Sequence, residues 1–137
     1  YSKNININQS KMTQIILISA VSILITVGAN LFLKKGVMAL GDLNFSFSGI
    51  FSAILNALQN AWILIGIFLY GVSFLLWLFI ISKIQLNIAY PIIFSLQVIL
   101  VAVASWLLFK EYLSLWQILG IAFMLVGVFL LTTKGWF

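Results

Sequence analysis

Apolar residues run almost unbroken through four stretches, at 15–33, 61–81, 88–109 and 115–131. Each is closed by a short polar break: Lys34-Lys35-Gly36, Ser82-Lys83, Lys110-Glu111 and Thr132-Thr133-Lys134. A helix needs about 20 mainly apolar residues to cross a bilayer. The pattern therefore predicts four membrane-spanning helices, with short links after the second and third and a long one after the first. A cleaved leader is a poorer reading of the first stretch, which is long and lacks a small-residue cleavage site. The polar, Asn-rich segment 1–10 is expected to be a disordered tail, so that residues 1–137 form a single transmembrane domain.

The long link, 34–60, has a pattern of its own. Phe47, Ile50, Phe51, Ile54, Leu55 and Leu58 recur at helical spacing, with Ser52, Asn56 and Gln59 opposite. This predicts an amphipathic helix over about 47–59, with Ser48 as a candidate cap near its start. It is too short and too polar to span, so it is read as a helix lying in the membrane interface. Packing against the mouth of the bundle is the alternative. The fold class is thus an all-α membrane protein: a bundle of four transmembrane helices with an additional interfacial helix between the first and second.

Composition narrows the function. Hydrophobic residues make up 64% of the chain and charged residues 7%, and the mean hydropathy is +1.24. Ordinary soluble domains carry about 25% charge, so a soluble globular fold is excluded. The absence of Cys and His removes disulfides, thiol and imidazole chemistry and most zinc sites. A net charge of +5, without a basic tract, offers nucleic acid no patch. The lysines on the side of both termini (Lys3, Lys11, Lys83, Lys134) barely outnumber those opposite (Lys34, Lys35, Lys110), a marginal vote for cytoplasmic termini. Trp62, Trp77, Trp106 and Trp116 lie near span ends, where an interfacial aromatic belt belongs.

Polar residues inside hydrocarbon are costly, so their placement is informative. Ser19, Ser22, Thr26, Asn30 and Lys34 follow one another at three- or four-residue spacing, on one face of the first span. Serines and threonines often do no more than bond their own helix or glue a neighbour. Asn30 and Lys34 need partners or water, and the lower half of this stripe is read as the wall of a cavity. The second span lines up Trp62, Gly66, Tyr70, Ser73 and Trp77. The third offers Tyr90 and Gln97, with Ser95 and Ser105 nearby. Gln97 either shares the cavity or makes an interhelical hydrogen bond. Pro91 is either a first-turn residue or, if the helix starts earlier, a loosened point beside Tyr90.

The fourth span carries Gly120, Met124 and Gly127 on one stripe, read as a packing or dimer seam. No Asp, Glu or His falls inside a span; Asp42 and Glu111 lie in loops. Proton-coupled transport normally uses an ionisable group at membrane depth. No nucleophile–base pair, phosphate-binding loop or metal cluster is present, so no enzyme activity and no cofactor is expected.

Three runs resemble a known family. They are Val27-Gly-Ala-Asn-Leu-Phe-Leu-Lys, Ser82-Lys-Ile-Gln-Leu-Asn-Ile-Ala-Tyr-Pro-Ile, and Trp106-Leu-Leu-Phe-Lys-Glu-Tyr-Leu-Ser-Leu-Trp-Gln-Ile-Leu-Gly-Ile-Ala followed by Gly127-Val. Together they are similar to four-helix, EamA-like members of the drug/metabolite transporter superfamily, over about 14–131. Small multidrug resistance exporters resemble the chain in length, in Ala89-Tyr90 and in the Gly120/Gly127 stripe. Their essential first-span glutamate, however, falls on Thr26, an aromatic on Ile93, and a glycine hinge on Ser95 and Gln97. Subunits of the aminoarabinose-phosphoundecaprenol flippase look closer, at Asn30 and Lys34, at Ala89-Tyr90-Pro91 and at Ser95-Leu96-Gln97. The long link before the second span sets this chain apart from them.

The resemblance implies a dimeric transporter in a bacterial inner membrane that moves a polyprenyl-phosphate-linked sugar, pairing with itself or with another four-helix subunit. Lys34, helped by Lys35, would meet the phosphate. Thr26, Asn30, Tyr90 and Gln97 would hydrogen-bond the sugar, and Tyr70 or Trp77 would stack on it. The alternatives are an exporter of small cationic solutes and an accessory subunit of a membrane complex.

Overall fold

A computed structural model of the chain describes the backbone of residues 2–41 and 47–133 and the side chains of 11–41 and 51–131. Asp42, the candidate cap Ser48, and Lys3 and Lys134 as side chains lie outside the described residues, as do Phe47 and Ile50 of the amphipathic face. Among the described residues the chain is all helical: α1 Ser2–Leu40, α2 Phe47–Gln59, α3 Ala61–Ile81, α4 Leu86–Phe109 and α5 Leu115–Thr133.

The bounds of α1, α4 and α5 differ from expectation, the last by two residues at its end. The first helix extends well beyond 15–33 in both directions, so 2–10, expected to be a disordered tail, continues α1 as helix. Once a helix is nucleated each further residue adds one bond at little cost, and polar residues suffice to prolong it. At the other end the lysine pair does not stop it, because both ammonium groups find partners: Lys34 pairs with Glu111, and Lys35 lies 3.7 Å from the centroid of the Trp62 ring. The third predicted span begins two residues earlier, at Leu86. Pro91 therefore sits inside α4, where its missing N–H leaves the Asn87 carbonyl without its usual helical donor.

Three helices, Lys11–Leu40, Ala61–Ile81 and Leu86–Phe109, are long and apolar enough to cross a membrane; the apolar part of α5, Leu115–Leu131, is shorter. The most extensive packing joins α1 to α3. Gly66 makes it possible, since a Cβ there would lie 2.7 Å from Leu33 Cγ and 3.1 Å from the Ala29 carbonyl oxygen. Small residues at such a crossing let two backbones approach closely. Asn60 sets the start of α3: its side-chain oxygen accepts from Trp62 N at 2.9 Å and Ile63 N at 3.3 Å. Towards the far end, Ile23, Val27, Ile80, Ala89 and Ile93 close a small apolar core among α1, α3 and α4.

The outer helices are less enclosed. Within the described residues α5 packs only on α4. Its start is a reciprocal cap, in which Gln117 Oε1 accepts from Ser114 N at 2.8 Å and Ser114 Oγ accepts from Gln117 N at 3.3 Å. α2 rests on α1 and α3 with Ala53 and Ala57 half-buried, while Phe51, Ile54, Leu55 and Leu58 stay exposed.

Candidate functional site

The polar stripe of α1 divides in two. Its upper part is glue. Ser22 and Ser73 of α3 lie 3.2 Å apart, Ser73 Oγ is 2.5 Å from Thr26 Oγ1, and Thr26 donates to the Ser22 carbonyl at 2.9 Å. These hydroxyls are buried and mutually satisfied, as interhelical serines and threonines usually are. One turn further on, the stripe opens. Asn30 Nδ2 donates to the Thr26 carbonyl at 2.9 Å, and Asn30 Oδ1 accepts from the Tyr70 hydroxyl at 2.7 Å.

Thr26, Asn30 and Tyr70 form one wall of a cavity of about 550 Å³. α4 supplies the facing wall through Phe94, Gln97, Val98, Val101, Ala102 and Ser105. The α4–α5 link and the start of α5 close it with Glu111, Tyr112, Leu113 and Gln117. Four of the residues singled out in the sequence (Thr26, Asn30, Tyr70 and Gln97) thus meet around one space from three helices. Ligand pockets commonly span about 300–1,000 Å³, with a few polar groups on a mainly apolar wall.

The other three lie elsewhere. Tyr90 stacks on Phe94 with centroids 4.5 Å apart, and Trp77 meets both rings edge-on, at 5.1 Å and 5.9 Å. The Trp77 and Tyr90 rings pack on each other and on Phe94; of the three, only Phe94 borders the cavity. Lys34 is also off the wall, with its ammonium held by the Glu111 carboxylate and 4.8 Å from the centroid of the Phe109 ring.

Glu111 is the residue that spacing did not reveal. Its position follows from the end of α4. Lys110 adopts a left-handed conformation, φ 54°, and its N–H reaches back to the Ser105 carbonyl, to which Glu111 N also donates at 3.5 Å. A non-glycine residue in this region is uncommon. Here the turn folds the chain back and aims Glu111 at the cavity and at Lys34. The Lys110-Glu111 break in the sequence marked a loop without saying which way the carboxylate faced.

The predicted seam of α5 is open on the protomer. A Cβ on Gly120 or Gly127 would meet nothing within 4 Å, and Met124 is exposed.

Long apolar helices enclosing a cavity whose polar lining comes from separate helices make this a multi-pass membrane protein. The chain belongs to the small multidrug resistance family: the family model described as "Small Multidrug Resistance protein" matches residues 46–124. Its relatives include proteins named "Probable 4-amino-4-deoxy-L-arabinose-phosphoundecaprenol flippase subunit ArnE" and "ArnF". The ArnE of Pseudomonas savastanoi pv. phaseolicola is 36% identical over 58% of this chain and 68% of its own length. The ArnE of Pseudomonas fluorescens is 27% identical over 74% of this chain and 93% of its own. The ArnF of Serratia proteamaculans is 32% identical over 85% of this chain and 90% of its own. No solved structure gives a significant match.

Proposed function

We propose that this chain is a subunit of a flippase that carries a polyprenyl-phosphate-linked sugar across the bacterial inner membrane. The observation that carries the reading is the meeting of Thr26, Asn30, Tyr70 and Gln97 around one cavity, in a chain whose relatives bear flippase names. The sugar hydrogen-bonds to Asn30 and Gln97, the prenyl tail stays in lipid, and Lys34 meets the phosphate where α1 leaves the hydrocarbon. Lys35, held over Trp62, plays a lesser part.

In the membrane α5 makes the fourth crossing, and its Gly120–Met124–Gly127 stripe joins a second four-helix subunit, of the same or a related chain. α2 lies in the interface with Phe51, Ile54, Leu55 and Leu58 towards lipid. Their exposure supports this placement, since the protein itself leaves the apolar face uncovered.

The test is reconstitution of the full chain in proteoliposomes with polyprenyl-phospho-4-amino-4-deoxy-arabinose in one leaflet. Transfer is followed with an impermeant amine reagent. Protein-dependent appearance of the sugar in the opposite leaflet is expected. Its absence, together with movement of a quaternary-ammonium dye, would replace this reading with that of a small-cation exporter, which the carboxylate of Glu111 on the cavity wall would then serve.

A further inference from the structure

Among the described residues, the one charged side chain bordering the cavity is an acid. Glu111 lines it, and the carboxylate holds Lys34, with the two side chains 48% and 31% exposed. The resting cavity therefore carries a closed pair of opposite charges at one end. An anionic headgroup that meets Lys34 competes with Glu111 for the same ammonium. With a headgroup that has no positive charge, this leaves a half-exposed carboxylate unpaired beside the incoming phosphate, and the like charges repel. With a headgroup that carries both a phosphate and an ammonium, two ion pairs replace one and no charge is left alone. The Phe109 ring lets Lys34 make the change without losing all its support, because the ring face continues to hold the cation.

We infer that Glu111 is a specificity residue: it reads a protonated amine on the sugar of a lipid-phosphate cargo, and the Lys34–Glu111 pair is exchanged for a zwitterionic headgroup. This rests on the flippase reading and names the class of headgroup that the site selects. Asn30, Tyr70 and Gln97 are uncharged, so among the lining residues Glu111 is the one that meets the ammonium with an opposite charge.

The experiment compares two probes, polyprenyl-phospho-4-amino-4-deoxy-arabinose and the same lipid after N-acetylation, which removes the positive charge and keeps the phosphate. Equilibrium binding to the purified full-length protein, in the oligomer it forms, is read by native mass spectrometry. The wild type is expected to bind the free amine about twofold to fivefold more tightly, the size of a partly exposed charge pair. Glu111→Gln should erase the preference, because the amine lipid loses its carboxylate while the N-acetyl lipid no longer has an ion pair to break, and Glu111→Asp should keep it. A purely structural ion pair would instead weaken both lipids equally in Glu111→Gln, and that result overturns the assignment. So does equal binding of the two lipids by the wild type, which leaves the flippase reading standing. Binding of neither lipid by the wild type removes both.

Discussion

Tyr70 donates its hydroxyl hydrogen to the side-chain oxygen of Asn30 at 2.7 Å, tying α3 to α1 at the cavity wall. Because Asn30 Nδ2 also donates to the Thr26 carbonyl, the amide is fixed from both ends and offers its remaining N–H and lone pair in a set direction. Tyr70→Phe keeps the ring and removes this restraint. Headgroup binding should fall about threefold to tenfold, the worth of one hydrogen bond, with membrane insertion unchanged. Wild-type affinity in that variant, measured by lipid binding to purified protein, would remove Tyr70 from the site.

The two adjacent lysines should behave differently. Lys34→Gln removes the group assigned to the phosphate and leaves Glu111 without its partner, so translocation in proteoliposomes should be abolished while the protein still inserts. Lys35 is exposed and occupied by Trp62, about 100° round the helix. Lys35→Gln should retain most activity. Equal activity of Lys34→Gln and wild type would make Lys34 an interfacial anchor.

Gly66→Ala tests the close contact of α1 and α3. The added methyl group would press on Leu33 and on the Ala29 carbonyl, and overpacking of this kind costs about 1–3 kcal/mol. A lower midpoint for thermal unfolding in detergent is expected. An unchanged midpoint would mean that the helices separate there at little cost.

Gly127→Leu asks the opposite question. A Cβ at this position meets nothing within the protomer, so the substitution should not disturb the fold. If the stripe is the seam between subunits, a leucine holds the helices apart. Cross-linked dimer should then decline while the thermal stability of the protomer is preserved. An undiminished dimer yield would place the seam elsewhere.

Much of this arrangement can be read along the chain. The bounds of α2 and α3 follow from periodicity and from the polar breaks around them, because Asn60 both interrupts the apolar run and caps the helix after it. The lower stripe of α1 announced Asn30 as a cavity residue, since an amide among apolar side chains needs a partner. Spacing was no guide for Trp77 and Tyr90, because it assigns a helix face without saying whether aromatic neighbours will claim it; Phe94 claimed both. Glu111 was hidden for a different reason. Its direction depends on the left-handed turn at Lys110 and on the nearness of Lys34 of α1, neither of which residue spacing encodes.

The uneven packing of the helices has a mechanical consequence. α1 and α3 are locked together by Gly66, Ala29 and the Ser22–Thr26–Ser73 hydroxyls, whereas α4 touches α3 only lightly and, among the described residues, α5 rests on α4 alone. The α1–α3 pair is therefore the stiff part of the protomer; α4 is fastened to it mainly through the apolar core shared with α1, and α5 is attached through α4. The cavity lies between the α1–α3 pair and α4, with the Lys34–Glu111 ion pair at its edge. A displacement of α4 against this pair would shear apolar contacts and leave the Ser22–Thr26–Ser73 hydroxyl bonds intact.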